Sequence, residues 1–139
     1  MLERAALVIG FALLVLIVAL ALRAISRNRA AAVQGEMLPA ELRERLPEQG
    51  PGIVYFYGPH CATCRQQGAI VDRLSSDKGV AVVRVDAVED MALAQALGVM
   101  TVPTTVIVDA RRNIRAVNPG LRSEHALAAQ LLDLAASHA

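Results

Sequence analysis

The sequence predicts a small α/β domain, a central mixed sheet with helices on both faces, behind one N-terminal transmembrane helix. Three observations predict it. An uncharged run, Ala5 to Leu22, opens the chain. From Leu38 onward, dense apolar runs alternate with segments of helical spacing, the alternation that parallel crossovers require. Near the C-terminus, two strand-like runs are separated only by Arg111, Arg112 and Asn113, so an antiparallel hairpin completes the sheet. The expected organisation is an anchor over residues 1–26, a linker over 27–37 and a domain over 38–139.

The run "AALVIGFALLVLIVALAL" would span about 27 Å as a helix, close to the hydrocarbon thickness of a bilayer. Arg4 and Arg23 bracket it and can reach the headgroups. A buried core helix is the poorer reading, because so small a domain cannot surround it. A cleaved signal peptide is a stronger rival, since "VALA" (Val18 to Ala21) offers small residues in an A-x-A arrangement. Against it, the apolar run is longer than a usual signal core and continues into Leu22. Arg23, Arg27 and Arg29 outweigh the charges before the run, so the positive-inside rule places the domain in the cytoplasm. The bias is small, and the extracytoplasmic side stays open.

"RAISRNRAAAVQGEM" (Arg23 to Met37) has few large apolar residues, and is expected to begin as a helical continuation and end as the linker. "LPAELRERLP" then reads as a short helix, with Pro39 in its first turn and Pro47 stopping it. "GIVYFYG" (Gly52 to Gly58) is a buried strand of β-branched and aromatic residues. After Cys61 and Cys64, the spacing of Ile70, Val71 and Leu74 predicts a helix through Ser75, with Gly79 ending the segment. Val80 to Ala87 is the second strand, Glu89 to Gly98 a helix with acids in its first turn and a glycine stop. Thr104 to Ala110 is the third strand, and "IRAVN" the fourth. Ser123 is a good N-cap for a closing helix that ends at Ala136.

Charge narrows the function classes. The first thirty residues hold four arginines against one glutamate, leaving ten Lys+Arg against twelve Asp+Glu, a net of −2. That is no electrostatic footprint for nucleic acid.

The chain's two cysteines, Cys61 and Cys64, form a C-x-x-C pair. Cys61 falls between a strand end and a helix start. There the unpaired N–H groups and partial positive charge of the helix favour a thiolate, the nucleophilic form. Cys64, one turn later, can attack a mixed disulfide formed at Cys61 and release the substrate. Two soft thiolates at this spacing could also hold Cu(I), and "GPHCATC" superficially resembles a copper-chaperone loop. Those domains have a different element order. A structural zinc needs about four ligands, and only His60, His125 and His138 remain. A non-catalytic adaptor that keeps the fold is the third possibility.

From about Leu38 to its end, the chain resembles the thioredoxin fold, and as a whole a membrane-anchored thioredoxin-like protein. "YFYGPHCATCR" matches the family's strand, C-x-x-C and following basic residue, here Arg65. "VPTT" matches its cis-proline loop, and "GLRSEHALAAQL" its closing turn and helix. The resemblance implies a thiol–disulfide oxidoreductase acting on protein thiols and disulfides, with an electron donor or acceptor the sequence does not name. It implies a substrate groove at Thr101, Val102 and Pro103, with the Val102–Pro103 bond cis. No cofactor beyond the redox-active Cys61–Cys64 disulfide, and no metal, is expected. The departures are specific. His60 stands where the family keeps a tryptophan, and Tyr55 where it often has a buried acid. Ala62-Thr63 replaces Gly-Pro, and Ala69 replaces a helix-kinking proline. Arg84 matches a basic residue on the second strand.

His60, adjacent to the thiolate, is expected to modulate its pKa. Other residues read as structural: Arg111 and Arg112 as a solvated turn, Met91 and Met100 as packing, His125 and His138 as exposed helix residues. Asp72 and Asp86 read as surface or strand-end acids, and Tyr55 and Tyr57 as sharing one strand face.

Overall fold

A computed structural model describes residues 2–48 and 50–136; the prediction for His138 lies outside them. Helix α1 runs Leu2–Ala32, α2 Ala40–Glu44 and α3 Ala62–Lys78. Helix α4 runs Met91–Ala96 and α5 Glu124–Ala136. The strands are β1 Gly52–Tyr57, β2 Ala81–Asp86, β3 Thr104–Val108 and β4 Ile114–Pro119. They form one sheet in the order β2-β1-β3-β4. β1 and β2 pair in parallel across α3, whereas β3 is antiparallel to both β1 and β4. This is the mixed α/β sheet the sequence predicted.

Side-chain alternation along β1 builds a core on each face. Val54 and Phe56 join Leu38, Leu42, Leu97 and Val106 on one side. Ile53 and Tyr55 join Val71, Leu74 and Ile107 on the other, under Leu127 and Leu131 of α5. Tyr55 and Tyr57 lie on the same face as expected, with ring centroids 6.0 Å apart.

Helix α3 runs to Lys78, beyond Ser75, and stops where Gly79 takes the left-handed conformation (φ 63°). Ser123 caps α5, its Oγ accepting from the Ala126 N–H at 3.2 Å. Asp86, at the end of β2, accepts from the Val88 and Glu89 N–H groups and so shapes the turn into α4.

Two expectations need correction. Arg112 is not solvated but buried: it takes φ 67°, and its guanidinium donates to the carbonyls of Gly50 and Pro47. The hairpin turn thus supplies a cation to carbonyls that lie outside the helices and strands. Met91 and Met100 are exposed rather than packed: Met91 opens α4 on its outer side, and Met100 lies in the loop before β3. The stretch after the apolar run continues the helix as far as Ala32, and its end docks on the domain. Ala30 is only 4% exposed, and Val33 packs on the same apolar cluster. The Gly35 N–H donates to the Ile114 carbonyl at 2.7 Å, and the Ile114 N–H to the Glu36 carbonyl at 2.8 Å. Small side chains and backbone make this contact, so no large apolar residue marked it in the sequence.

Residues 3–25 of α1 are exposed. Its apolar residues, Leu7, Phe11 and Ile17 among them, are exposed all round. Glu3–Ala32 is long and apolar enough to be a candidate membrane anchor.

Candidate active site

β1 ends at Tyr57, and the turn Gly58–Pro59–His60 delivers Cys61 to the start of α3. Cys61 is the N-cap, with extended φ and ψ of −101° and 107°. Its Sγ accepts from the Cys64 N–H at 3.1 Å, and Thr63 Oγ1 lies 3.4 Å away on the same sulfur. One of the helix's orphan N–H groups is therefore satisfied by sulfur. Cys61 and Cys64 are joined as a disulfide, with Cα atoms 5.1 Å apart. Their exposure differs: Cys61 is half-buried, whereas Cys64 is 5% exposed. Cys61 is therefore the more accessible sulfur of the pair.

The loop before β3 covers one side of the pair. The Val102 carbonyl oxygen lies 3.9 Å from Cys61 Sγ, and the Val102–Pro103 bond is cis. Two bonds hold the loop: Thr104 Oγ1 donates to the Thr101 carbonyl at 2.7 Å, and the Gly120 N–H to the Pro103 carbonyl at 2.8 Å. Gly58 admits the loop, for a Cβ there would stand 3.2 Å from Val102 Cγ2. Pro103 is buried, Val102 half-buried and Thr101 exposed. The structure thus brings Cys61, Cys64, Val102 and Pro103 together, with Thr101 at the loop's outer end.

On the other side an open cleft of about 600 Å³ runs beneath the pair, with His60, Cys64, Arg65 and Tyr57 on its walls. His60 is exposed at its rim. A polar group that sequence reasoning missed forms its floor. Tyr55 Oη donates to the Cys64 carbonyl at 2.5 Å. The Arg84 guanidinium sits 5.4 Å from the Tyr55 ring centroid, and its Nη2 meets Asp72 Oδ1 at 2.5 Å. Burial pushes the Tyr55 phenol up from its ordinary pKa, and the neighbouring Arg84 opposes that rise only partly. Tyr55 and Arg84 are partners in the β1–β2 register, so they share a face. Gly68 faces the pair, since a Cβ there would lie in ordinary contact with Arg84 Nη1, at 3.5 Å. The sequence signal was present in Gly68 and Asp72, four apart on α3, but choosing between facing and solvated needs the packing of α3 on β2.

Gln67 was also missed. It is wholly buried, and its Oε1 accepts from the Arg122 N–H at 2.6 Å, tying α3 to the segment before α5. Among the described residues no cluster of three His, Cys, Asp or Glu side chains comes together to hold a metal ion. His125 lies on α5.

The chain is similar in structure to several thioredoxins. A point-mutant thioredoxin from Halobacterium salinarum NRC-1 superposes with a TM-score of 0.63 at 29% identity, over 73% of this chain and 87% of that one. Oxidised mitochondrial thioredoxin 3 of Saccharomyces cerevisiae gives 0.61 at 20% identity, over 76% and 99%. Fasciola hepatica thioredoxin gives 0.56 at 21%, over 63% and 84%. No curated protein matches the sequence significantly. The fold is that of thioredoxin, and with its Cys61–Cys64 pair it suits thiol–disulfide chemistry in general. Residues 27–132 match the model of the family described as TraF, F plasmid transfer operon protein, and the chain belongs to that family.

Proposed function

We propose that the protein is a membrane-anchored thiol–disulfide oxidoreductase acting on protein disulfides near the bilayer. The observation that carries this reading is the setting of Cys61, half-buried at the N-terminus of α3 with the Cys64 N–H on its sulfur, above a buried Cys64. In the reduced protein, the helix N-terminus favours the Cys61 thiolate. That thiolate attacks one sulfur of a substrate disulfide. The substrate S–S bond breaks, its second sulfur leaves as a thiolate and takes a proton, and a mixed disulfide forms at Cys61. Cys64, deprotonated, then attacks the Cys61 sulfur and expels the substrate's first sulfur. The substrate gains two electrons and two protons, and the protein is left as the Cys61–Cys64 disulfide. A dithiol donor restores it, and the same steps in reverse oxidise a substrate dithiol.

Thr101, Val102 and Pro103 form the substrate groove in this reading. Pro103 has no N–H, so the loop edge stays open to a substrate's backbone. His60 favours the Cys61 thiolate, and His60→Ala raises the apparent thiol pKa in a Cys64→Ser background. Ultraviolet thiolate absorbance against pH reads that change, and an unmoved titration removes His60 from the site. The exposed apolar run supports an anchor, and Arg23, Arg27 and Arg29 favour a cytoplasmic domain. Retention through carbonate extraction tests the anchor. Labelling of Cys61 by an impermeant maleimide in intact cells would put the domain outside.

The decisive experiment is insulin-disulfide reduction by the full chain in detergent, with dithiothreitol as donor. Turnover above background that is lost in Cys61→Ser is expected. A wild-type protein no faster than dithiothreitol alone refutes the reading.

A further inference from the structure

The membrane helix and the substrate loop meet at one glycine. Gly98 follows α4 in the left-handed conformation, with φ 66°. A Cβ there would stand 2.8 Å from the Arg29 carbonyl oxygen and 3.1 Å from its carbon, both backbone atoms. The last turn of α1 therefore sits directly on the chain just before the loop that leads to Pro103. Ala30 belongs to the same apolar cluster as Leu97, and Val33, Val99 and Val102 pack against it. Val102 then presents its carbonyl to Cys61 Sγ at 3.9 Å. An unbroken line of contacts runs from Arg29 and Ala30, through Gly98, to the redox pair.

The far side of this junction is closed as well. Beyond α1, the Gly35 and Leu38 N–H groups donate to the carbonyls of Ile114 and Arg112, and the Ile114 N–H donates back to Glu36. Residues 35–38 thereby cover the outer edge of β4. Between Leu22 and Ala30 the helix is continuous, with neither glycine nor proline, and rises about 12 Å. A swivelling tether would need a break in that stretch, and none exists.

We propose that Ala30 and Gly98 are positioning residues for the active site. Seating the last turn of α1 on Gly98 sets the Val99–Pro103 loop against Cys61, so anchor and substrate groove move as one unit. Only the kinetic arm of the test rests on the oxidoreductase reading.

The experiment uses the full chain in detergent, as wild type, Gly98→Ala, Ala30→Glu and Ala30→Ser. Loop position is read by hydrogen exchange at the Gly120 amide, which the Pro103 carbonyl holds, with the Val54 amide in the central strand as reference. Unseating the turn should speed Gly120 exchange about tenfold while Val54 changes little. In insulin reduction, the KM of the Gly98→Ala and Ala30→Glu variants should rise about fivefold with kcat nearly kept. Ala30→Ser, small enough for the seat, should behave as wild type in both. Iodoacetamide alkylation of Cys61 in a Cys64→Ser background should keep its rate, because the α3 N-terminus sets thiolate character. Unchanged Gly120 exchange in both disruptive variants overturns the proposal. So does exchange that accelerates equally at Gly120 and Val54, which is the signature of general destabilisation. A wild type inactive on insulin sinks the oxidoreductase reading alone, because the exchange arm still decides the role of the seat.

Discussion

Cys61 Sγ accepts a hydrogen bond from the Cys64 backbone N–H at 3.1 Å, so the outer sulfur of the pair caps the helix that carries the inner one. The two sulfurs are therefore unequal before any substrate arrives. The outer one has the N–H and the helix dipole to stabilise a negative charge, whereas the inner one is buried. Cys64→Ser should accumulate a mixed disulfide with protein substrates, and Cys61→Ser should accumulate little. Non-reducing gels of the two variants, followed by reduction, make the comparison. Equal trapping would mean that position on α3 does not choose the nucleophile.

Tyr55 fastens the inner cysteine from below. Its phenol donates to the Cys64 carbonyl at 2.5 Å, and its ring lies under Arg84. Tyr55→Phe keeps the ring and removes only the bond. A loss of about 1 kcal/mol is expected, which in a domain of this size lowers Tm by roughly 4–8 °C. The melt should be run with the pair oxidised and reduced. An unchanged Tm in both states would show that the bond adds nothing net.

What the sequence disclosed and what it concealed divide along a physical line. Strands such as Gly52–Tyr57 and Thr104–Val108 were legible because buried strands concentrate apolar residues locally. The cysteine pair and the cis-proline loop beside it were legible because their spacing is short and their residue types are rare. Features created by two distant segments were not. Arg112 reads as solvent-facing until the carbonyls of Pro47 and Gly50 are brought to it. Asp72 becomes the partner of Arg84 only when α3 is laid across β2. Ala30 looks like linker because a small residue signals close approach only when the surface it meets is known.

Asp109 makes folding sensitive to acid. Its carboxylate is 3% exposed. Burial by itself would raise its pKa. Hydrogen bonds from the Asn113 N–H and Nδ2 and from the Arg111 N–H outweigh that, aided by Arg115 4.0 Å away, and the net shift is downward. A carboxyl lowered in the folded state contributes stability that is present above its unfolded pKa, about 3.9. That stability is lost as pH falls through the folded value. Unfolding free energy should therefore decline below about pH 4, and Asp109→Asn should flatten part of that decline while lowering stability at neutral pH. Urea titrations between neutral pH and about pH 3 measure both slopes. A variant whose pH dependence matches wild type would exclude Asp109 as a source of acid sensitivity.

Arg112 closes the far end of the sheet, away from the cysteines. Its guanidinium is the donor for the Gly50 and Pro47 carbonyls, and its own carbonyl accepts from the Leu38 N–H at 2.8 Å. Leu38, Pro47 and Gly50 thus converge on one residue of the β3–β4 turn that is 8% exposed. Arg112→Met preserves most of the buried volume but leaves two carbonyls without a donor. Hydrogen bonds to charged groups contribute about 1.5–3 kcal/mol, and orphaned acceptors add their own desolvation cost, so a loss of about 3 kcal/mol is expected. Arg112→Lys supplies a single ammonium to the same carbonyls and should recover part of it, though it cannot fork between them as guanidinium does. Chemical denaturation of the three proteins ranks them as wild type, lysine, methionine in falling stability. Disulfide exchange by the folded fraction should be unaffected, because the turn lies at the opposite strand ends from Cys61. A methionine variant as stable as wild type would show that water satisfies those carbonyls and that the buried cation is dispensable.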